Sequence, residues 1–200
     1  MSLAIDFYFD FSSPYSYIAA NRLDGFDARN GKTLVWRPIL TGAIFKLLNN
    51  PPQNEPKLAY MMQDAKRCAA YHRMPLNWPS HFPINPLAAC RAFYWLYEDK
   101  PDVAVQIALA LLKAYWVTDH DISDGDYVLD LGERFGIDRE YLHEGLNDQN
   151  VKDKLRQTTE VAFQRGVFGV PWVFVGDEPF WGQDRLDQME RWVQIGGWKY

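Results

Sequence analysis

Along the first ten residues, Ile5, Phe7 and Phe9 alternate with Asp6, Tyr8 and Asp10, and this period of two predicts a strand. Ser12-Ser13-Pro14 then combines helix N-cap chemistry with a proline suited to the first helical position, and Tyr17, Ile18, Ala20, Asn21 and Leu23 continue at helical spacing until Gly25. A β-branched and aromatic run from Thr33 to Trp36 predicts a second strand, closed by Pro38. The opening therefore reads as βαβ.

Beyond Pro38 the period changes to that of helices: Gly42 to Leu48, Lys57 to Tyr71, Pro86 to Tyr97, Val103 to Val117, Tyr127 to Phe135, Arg139 to Leu146 and Val151 to Arg165. Stiff proline-punctuated loops, Pro51-Pro52-Gln53-Asn54-Glu55-Pro56 and Pro75 to Pro79, separate them. Gly136 closes one of these helices and Asp138 caps the next. Strand character returns at Val170 to Val175, turns at Gly176-Asp177 and resumes over Glu178 to Trp181, a hairpin pattern. A terminal helix from Gln183 to Gln194 carries the apolar stripe Leu186, Met189, Trp192 and Val193. The expected architecture is an α/β, thioredoxin-like βαβ…ββα domain of residues 1–40 and 166–200, interrupted by an all-helical insertion over residues 41–165.

Composition narrows the function classes. The 200 residues are 48% hydrophobic and 24% charged, an ordinary globular balance. Aromatic residues reach 16%, which suits a pocket for a flat organic ligand and equally suits bulky core packing. A net charge of -5 without a dense Lys/Arg run argues against nucleic acid as partner. The N-terminal residues lack a secretory signal pattern, and no apolar run reaches membrane-spanning length, so a cytoplasmic protein with no membrane partner is expected. Cys68 and Cys90 lie far apart and outside any C-x-x-C, against a disulfide scaffold, a zinc knuckle or a dithiol centre. His72, His81, His120 and His143 show no ligand spacing, and no metal is expected.

Chemistry concentrates in two places. Ser13-Pro14-Tyr15-Ser16 opens the first helix, and Val170-Pro171 leads into the later strand. The pair resembles the DsbA-like branch of the thioredoxin superfamily, where C-P-x-C opens the helix and a cis-proline loop faces it. Both sulfurs are absent here, so thiol–disulfide exchange cannot be run by this motif. The longer run Asp6 to Tyr17, with Phe168-Gly169-Val170-Pro171 and Phe180-Trp181-Gly182-Gln183-Asp184-Arg185-Leu186, resembles the 2-hydroxychromene-2-carboxylate isomerases, relatives of kappa-class glutathione transferases. The similarity spans nearly the whole chain.

This resemblance implies glutathione as cofactor, a small aromatic carboxylate as substrate, and a homodimer. It implies Ser13 as the catalytic group, its hydroxyl donating to the glutathione sulfur at a helix N-terminus that favours an anion. It implies that Val170 pairs its backbone with glutathione before a cis Pro171, and that Trp181, Gly182, Gln183 and Asp184 complete the cofactor site. Lys46 is implied for the substrate carboxylate and Asn54 for a polar contact. Phe82 stands where relatives are expected to carry a phenol, and lacks its hydroxyl. Read from the residues alone, Ser13 also serves as a plain cap, Pro171 as a strand-entry proline, Asp184 as compensation of a helix dipole, and Lys46 as a solvated side chain. The implied reaction interconverts 2-hydroxychromene-2-carboxylate and trans-o-hydroxybenzylidenepyruvate. A kappa-like transferase that consumes glutathione, and a non-catalytic glutathione- or peptide-binding module, are the alternatives.

Overall fold

Strand β1 (Ile5–Phe9) is the hub of the molecule, and all five of its residues are buried. Its alternation sends Ile5, Phe7 and Phe9 into one apolar cluster and Tyr8 into another on the opposite face. In this computed structural model, which describes residues 5–49 and 54–198, β1 pairs in parallel with β2 (Leu34–Pro38) and antiparallel with β3 (Trp172–Val175). β4 (Glu178–Trp181) pairs with β3, giving the order β2-β1-β3-β4. Between β1 and β2 lie α1 (Pro14–Leu23) and a five-residue α2 (Phe26–Asn30).

The helical block comprises α3 (Thr41–Leu47), α4 (Glu55–Tyr71), α5 (Leu87–Tyr97), α6 (Pro101–Thr118), α7 (Gly125–Arg134), α8 (Arg139–Asn147) and α9 (Gln149–Gln164). A 3₁₀ turn over Gln183–Arg185 leads into α10 (Leu186–Ile195). The main core runs without a break from Phe7 and Phe9 of the sheet through Phe93 of α5 and Trp116 of α6 to Leu142 of α8. The second cluster joins Tyr8, Trp172 and Phe174 to Ile44 of α3 and Ala162 of α9. Helices thus cover both faces of the sheet. None among the described residues is long and apolar enough to cross a membrane.

Three details differ from the sequence expectation. β2 continues through Pro38 instead of stopping before it: β2 is an edge strand, where a residue without an N–H is tolerated. α2 follows Gly25, which lies at φ 69 and reads in sequence as a stop. The last helix opens with the 3₁₀ turn before becoming α-helical at Leu186. Pro51, Pro52 and Gln53 of the expected stiff loop fall outside the described residues.

Candidate functional site

The turn from β1 into α1 is fixed by a buried carboxylate. Asp10, 1% exposed, accepts from the Ser12 N–H (2.8 Å) and hydroxyl (2.7 Å) through Oδ1. Its Oδ2 accepts from the Thr41 N–H (2.8 Å) and hydroxyl (2.7 Å) at the start of α3. Four donors on one carboxylate offset its burial. The Asp10 N–H in turn donates to the buried Ser16 Oγ at 3.3 Å, which gives Ser16 a structural task. From α6, the Trp116 Nε1–H donates to the Phe11 carbonyl at 2.9 Å.

Ser13 is the N-cap of α1, its Oγ accepting the Ser16 N–H at 3.2 Å. The hydroxyl proton of Ser13 has no acceptor among the described residues. Pro14 has no N–H to offer, and the Tyr17 N–H is taken by the Ser13 carbonyl at 3.1 Å. That leaves the Tyr15 N–H as the unpaired amide of the first turn among the described residues. Ser13 thus presents one free donor beside another at the positive end of a helix.

The sheet register brings Val170 to this end of the molecule. Tyr8 pairs with Trp172, so the chain beyond each, toward Ser13 on one strand and toward Val170 on the other, leaves the sheet at the same edge. The Val170–Pro171 peptide is cis. No backbone group of Val170 has a hydrogen-bond partner among the described residues. The Pro171 carbonyl accepts from the Gly182 N–H at 2.9 Å and so fixes the start of the 3₁₀ turn. Gly182 sits at φ +106, a conformation that residues bearing a Cβ rarely adopt, so the turn calls for glycine. Trp181 is exposed and packs edge-on against Phe168 at 4.6 Å between centroids.

Gln183 is buried and held from two sides, its carbonyl by Arg22 of α1 and its Oε1 by His72 Nε2 at 3.2 Å. Asp184 is exposed, with Arg185 at 3.1 Å. Here α4 supplies a wall that the sequence reading missed. Asp64 and Cys68 of α4 and His72, the residue that caps its end, recur at intervals of four and line one side. The Tyr15 hydroxyl donates to Asp64 Oδ2 at 2.8 Å, Cys68 Sγ lies 3.7 Å from the same oxygen, and His72 reaches Gln183. Burial, reinforced by the Asp64 hydrogen bond, pushes the Tyr15 phenol well up. Burial, then Asp64, also push the Cys68 thiol up, and the Asp184 carboxylate adds to this. The only sequence signal for the wall is polar residues at helical spacing, which any solvated helix face also shows.

The implied substrate residues are more dispersed. Lys46 is exposed on α3, two residues past the buried Ile44 and therefore roughly 200° around the helix from the α9 contact. α3 is tied to the Ser13 turn through Thr41 and Asp10. Phe82 packs on Trp78 (4.7 Å) and Trp116 (6.1 Å), and Trp116 reaches the same turn. Asn54 caps α4, accepting the Lys57 N–H at 3.1 Å. It begins the helix ten residues before Asp64, about 15 Å along the axis.

Comparison with known proteins places this geometry in a family. A family profile described as "DSBA-like thioredoxin domain" matches residues 4–194. A 2-hydroxychromene-2-carboxylate isomerase of Sphingobium xenophagum is 35% identical over 197 residues, covering 96% of this chain and 99% of that protein. Glutathione S-transferase kappa 1 of Caenorhabditis elegans is 28% identical, over 91% of this chain and 87% of its own. A solved 2-hydroxychromene-2-carboxylate isomerase structure matches with a TM-score of 0.83 at 28% identity, covering 94% of this chain and 93% of that one.

Proposed function

The chain belongs to the DSBA-like thioredoxin family and, within it, to the 2-hydroxychromene-2-carboxylate isomerases, and on that premise we propose a glutathione-dependent isomerase acting on 2-hydroxychromene-2-carboxylate and trans-o-hydroxybenzylidenepyruvate. The observation that carries this reading is the Ser13 hydroxyl, whose oxygen is fixed by the Ser16 N–H and whose proton has no acceptor among the described residues. A donor so placed at a helix N-terminus suits an anionic sulfur.

The residues present fit glutathione. Val170 offers a backbone unpaired among the described residues beside Pro171, as strand addition requires. The opening amides at Gln183 and Asp184 suit the γ-glutamyl carboxylate, and the exposed Asp184 side chain suits its ammonium. When bound, glutathione supplies a thiol that adds reversibly to an electron-poor C=C and leaves again, so that the bond can rotate before ring closure. Ser13 holds charge on the sulfur through its O–H. The Asp10 and Trp116 contacts keep that hydroxyl in place, so little reorganisation is needed in the transition state. Lys46 orients the substrate carboxylate, Phe82 contributes an apolar wall, and Asn54 marks the outer limit of the site. In this division the thioredoxin half sets chemistry and the helical insertion sets specificity. Family membership also supports a cytoplasmic homodimer working in aromatic catabolism.

Turnover with sub-stoichiometric glutathione is the decisive measurement. Conversion of many equivalents of substrate per glutathione is expected, whereas arrest at one equivalent would mean a conjugating transferase. Ser13→Ala is expected to lower kcat roughly 10²-fold with little change in glutathione affinity. Lys46→Ala should weaken the carboxylate substrate and spare glutathione, and Asp184→Ala should do the reverse.

A further inference from the structure

We propose that the back face of the sheet holds a second ligand site, a cationic cleft between β1, β2 and α9 that binds a compact oxyanion of the phosphate type. The cleft measures about 260 Å³ and is lined by Asp6, Tyr8, Arg37, Lys154, Gln157 and Arg165 among others. None of Ser13, Val170, Gln183 or Asp184 borders it, so the proposal does not rest on the isomerase reading.

The alternation of β1 creates the cleft. Asp6 and Tyr8 point away from the main core, and the parallel register sets Arg37 of β2 beside Tyr8. Asp6 is 8% exposed and takes two guanidinium groups at once, Arg37 Nε at 2.7 Å on Oδ1 and Arg165 Nη1 at 2.9 Å on Oδ2. Arg165 is held further by the Gly176 carbonyl at 3.0 Å and the face of Phe174 at 3.8 Å. Lys154 of α9 adds a third cation. Three cations against one carboxylate leave the lining at a net +2.

Asp6 orients the arginines more than it neutralises the cleft. Among the described residues, neither Nη group of Arg37 nor the Nζ of Lys154 has a hydrogen-bond or ion-pair partner. Burial works to lower both arginine guanidinium groups, but the Asp6 hydrogen bond and charge outweigh it, so both stay charged. A guanidinium fork held in place beside an ammonium is the arrangement that oxyanions favour. Gln157 supplies a neutral donor at the rim, and the lining is too polar for an acyl or aryl ligand.

Titration calorimetry of the full chain with inorganic phosphate, at constant ionic strength set by chloride, tests the site. Saturable 1:1 binding is expected, unaffected by excess glutathione and weakened roughly tenfold by Lys154→Glu, an exposed position expected to leave the melting curve intact. Lys154→Arg should retain binding and guards against a folding artefact. Ribose 5-phosphate binding as tightly as phosphate would identify a monoester site, and binding of phosphate alone a site for the free ion. The proposal is overturned by the absence of saturable binding, by equal affinity in Lys154→Glu, or by displacement with glutathione, which would put the anion beside Ser13.

Discussion

α4 and α6 have nearly the same length, 17 and 18 residues, and both pack against α1, yet they are held by different forces. α6 buries eight side chains, among them Ile107, Leu111, Tyr115 and Trp116. α4 buries Ala65 and Ala69. The first helix is fixed by apolar area, of which each large side chain contributes about 1.5–3 kcal/mol. The second buries two alanine methyl groups, packs Cys68 partly against the core, and adds a polar seam: Tyr15 to Asp64, and His72 to Gln183. Small side chains let the α4 backbone come close to α1, and that closeness places the seam within reach of the Ser13 and Gln183 segments. Where a helix serves the core its sequence is apolar, and where it meets its neighbours through a polar seam its sequence is polar and its hold is weak.

The largest test of this contrast is Trp116→Ala, which should cost about 3–5 kcal/mol and lower Tm by roughly 6–20 °C. Trp116→Phe would separate packing from the bond to the Phe11 carbonyl, because it keeps most of the volume and loses the donor. A small loss in Trp116→Ala would show that α6 is not the pillar described. An intermediate effect is expected from Tyr15→Phe, about 0.5–1.5 kcal/mol of stability, with KM for glutathione rising a few-fold. Asp64→Asn should do much the same, and the two should be non-additive in a double-mutant cycle. Full additivity would break the seam.

The smallest effect is chemical. Cys68, its thiol pushed up by burial and then by Asp64, should react with iodoacetamide near pH 8 more slowly than an unhindered small thiol, and slower still with glutathione bound. The folded thiol holds its proton more tightly than the unfolded one. Its contribution to stability is therefore complete below the unfolded value and is lost as pH rises through the folded one. Fast alkylation would show that burial and Asp64 do not hold the Cys68 thiol.

Much of the fold was legible because its signals are local. The alternation of Ile5, Phe7 and Phe9, the Ser13-Pro14 cap, the Asp138 cap and the Gly176-Asp177 turn each act over a few residues, and each appears where the sequence puts it. α2 was missed because five residues after a glycine carry too short a period to detect. Asp10 reads in sequence as the polar end of a strand, and its clamp on Thr41 exists only once α3 has folded back. The α4 wall and the trio of Asp6, Arg37 and Arg165 were illegible for the same reason. Their partners lie tens of residues away or more, and no periodicity encodes such pairings. Of the candidate residues, Ser13 was legible as the cap of α1 and Val170-Pro171 as the lead into β3, whereas the capping role of Asn54 needed only the Pro56 that follows it and was still overlooked.

The strand order also governs how the molecule is made. β1 leaves the ribosome well ahead of β3, and the entire helical block is synthesised between these two neighbours in the sheet. Until β3 arrives, one edge of the buried strand β1 has no hydrogen-bonding partner, the condition in which nascent chains stick to one another. The Phe11 carbonyl likewise waits for Trp116. A chain interrupted before β3 would own a Ser13 turn without the Val170-Pro171 segment that the sheet register brings to it, and the two would meet among the last events of folding.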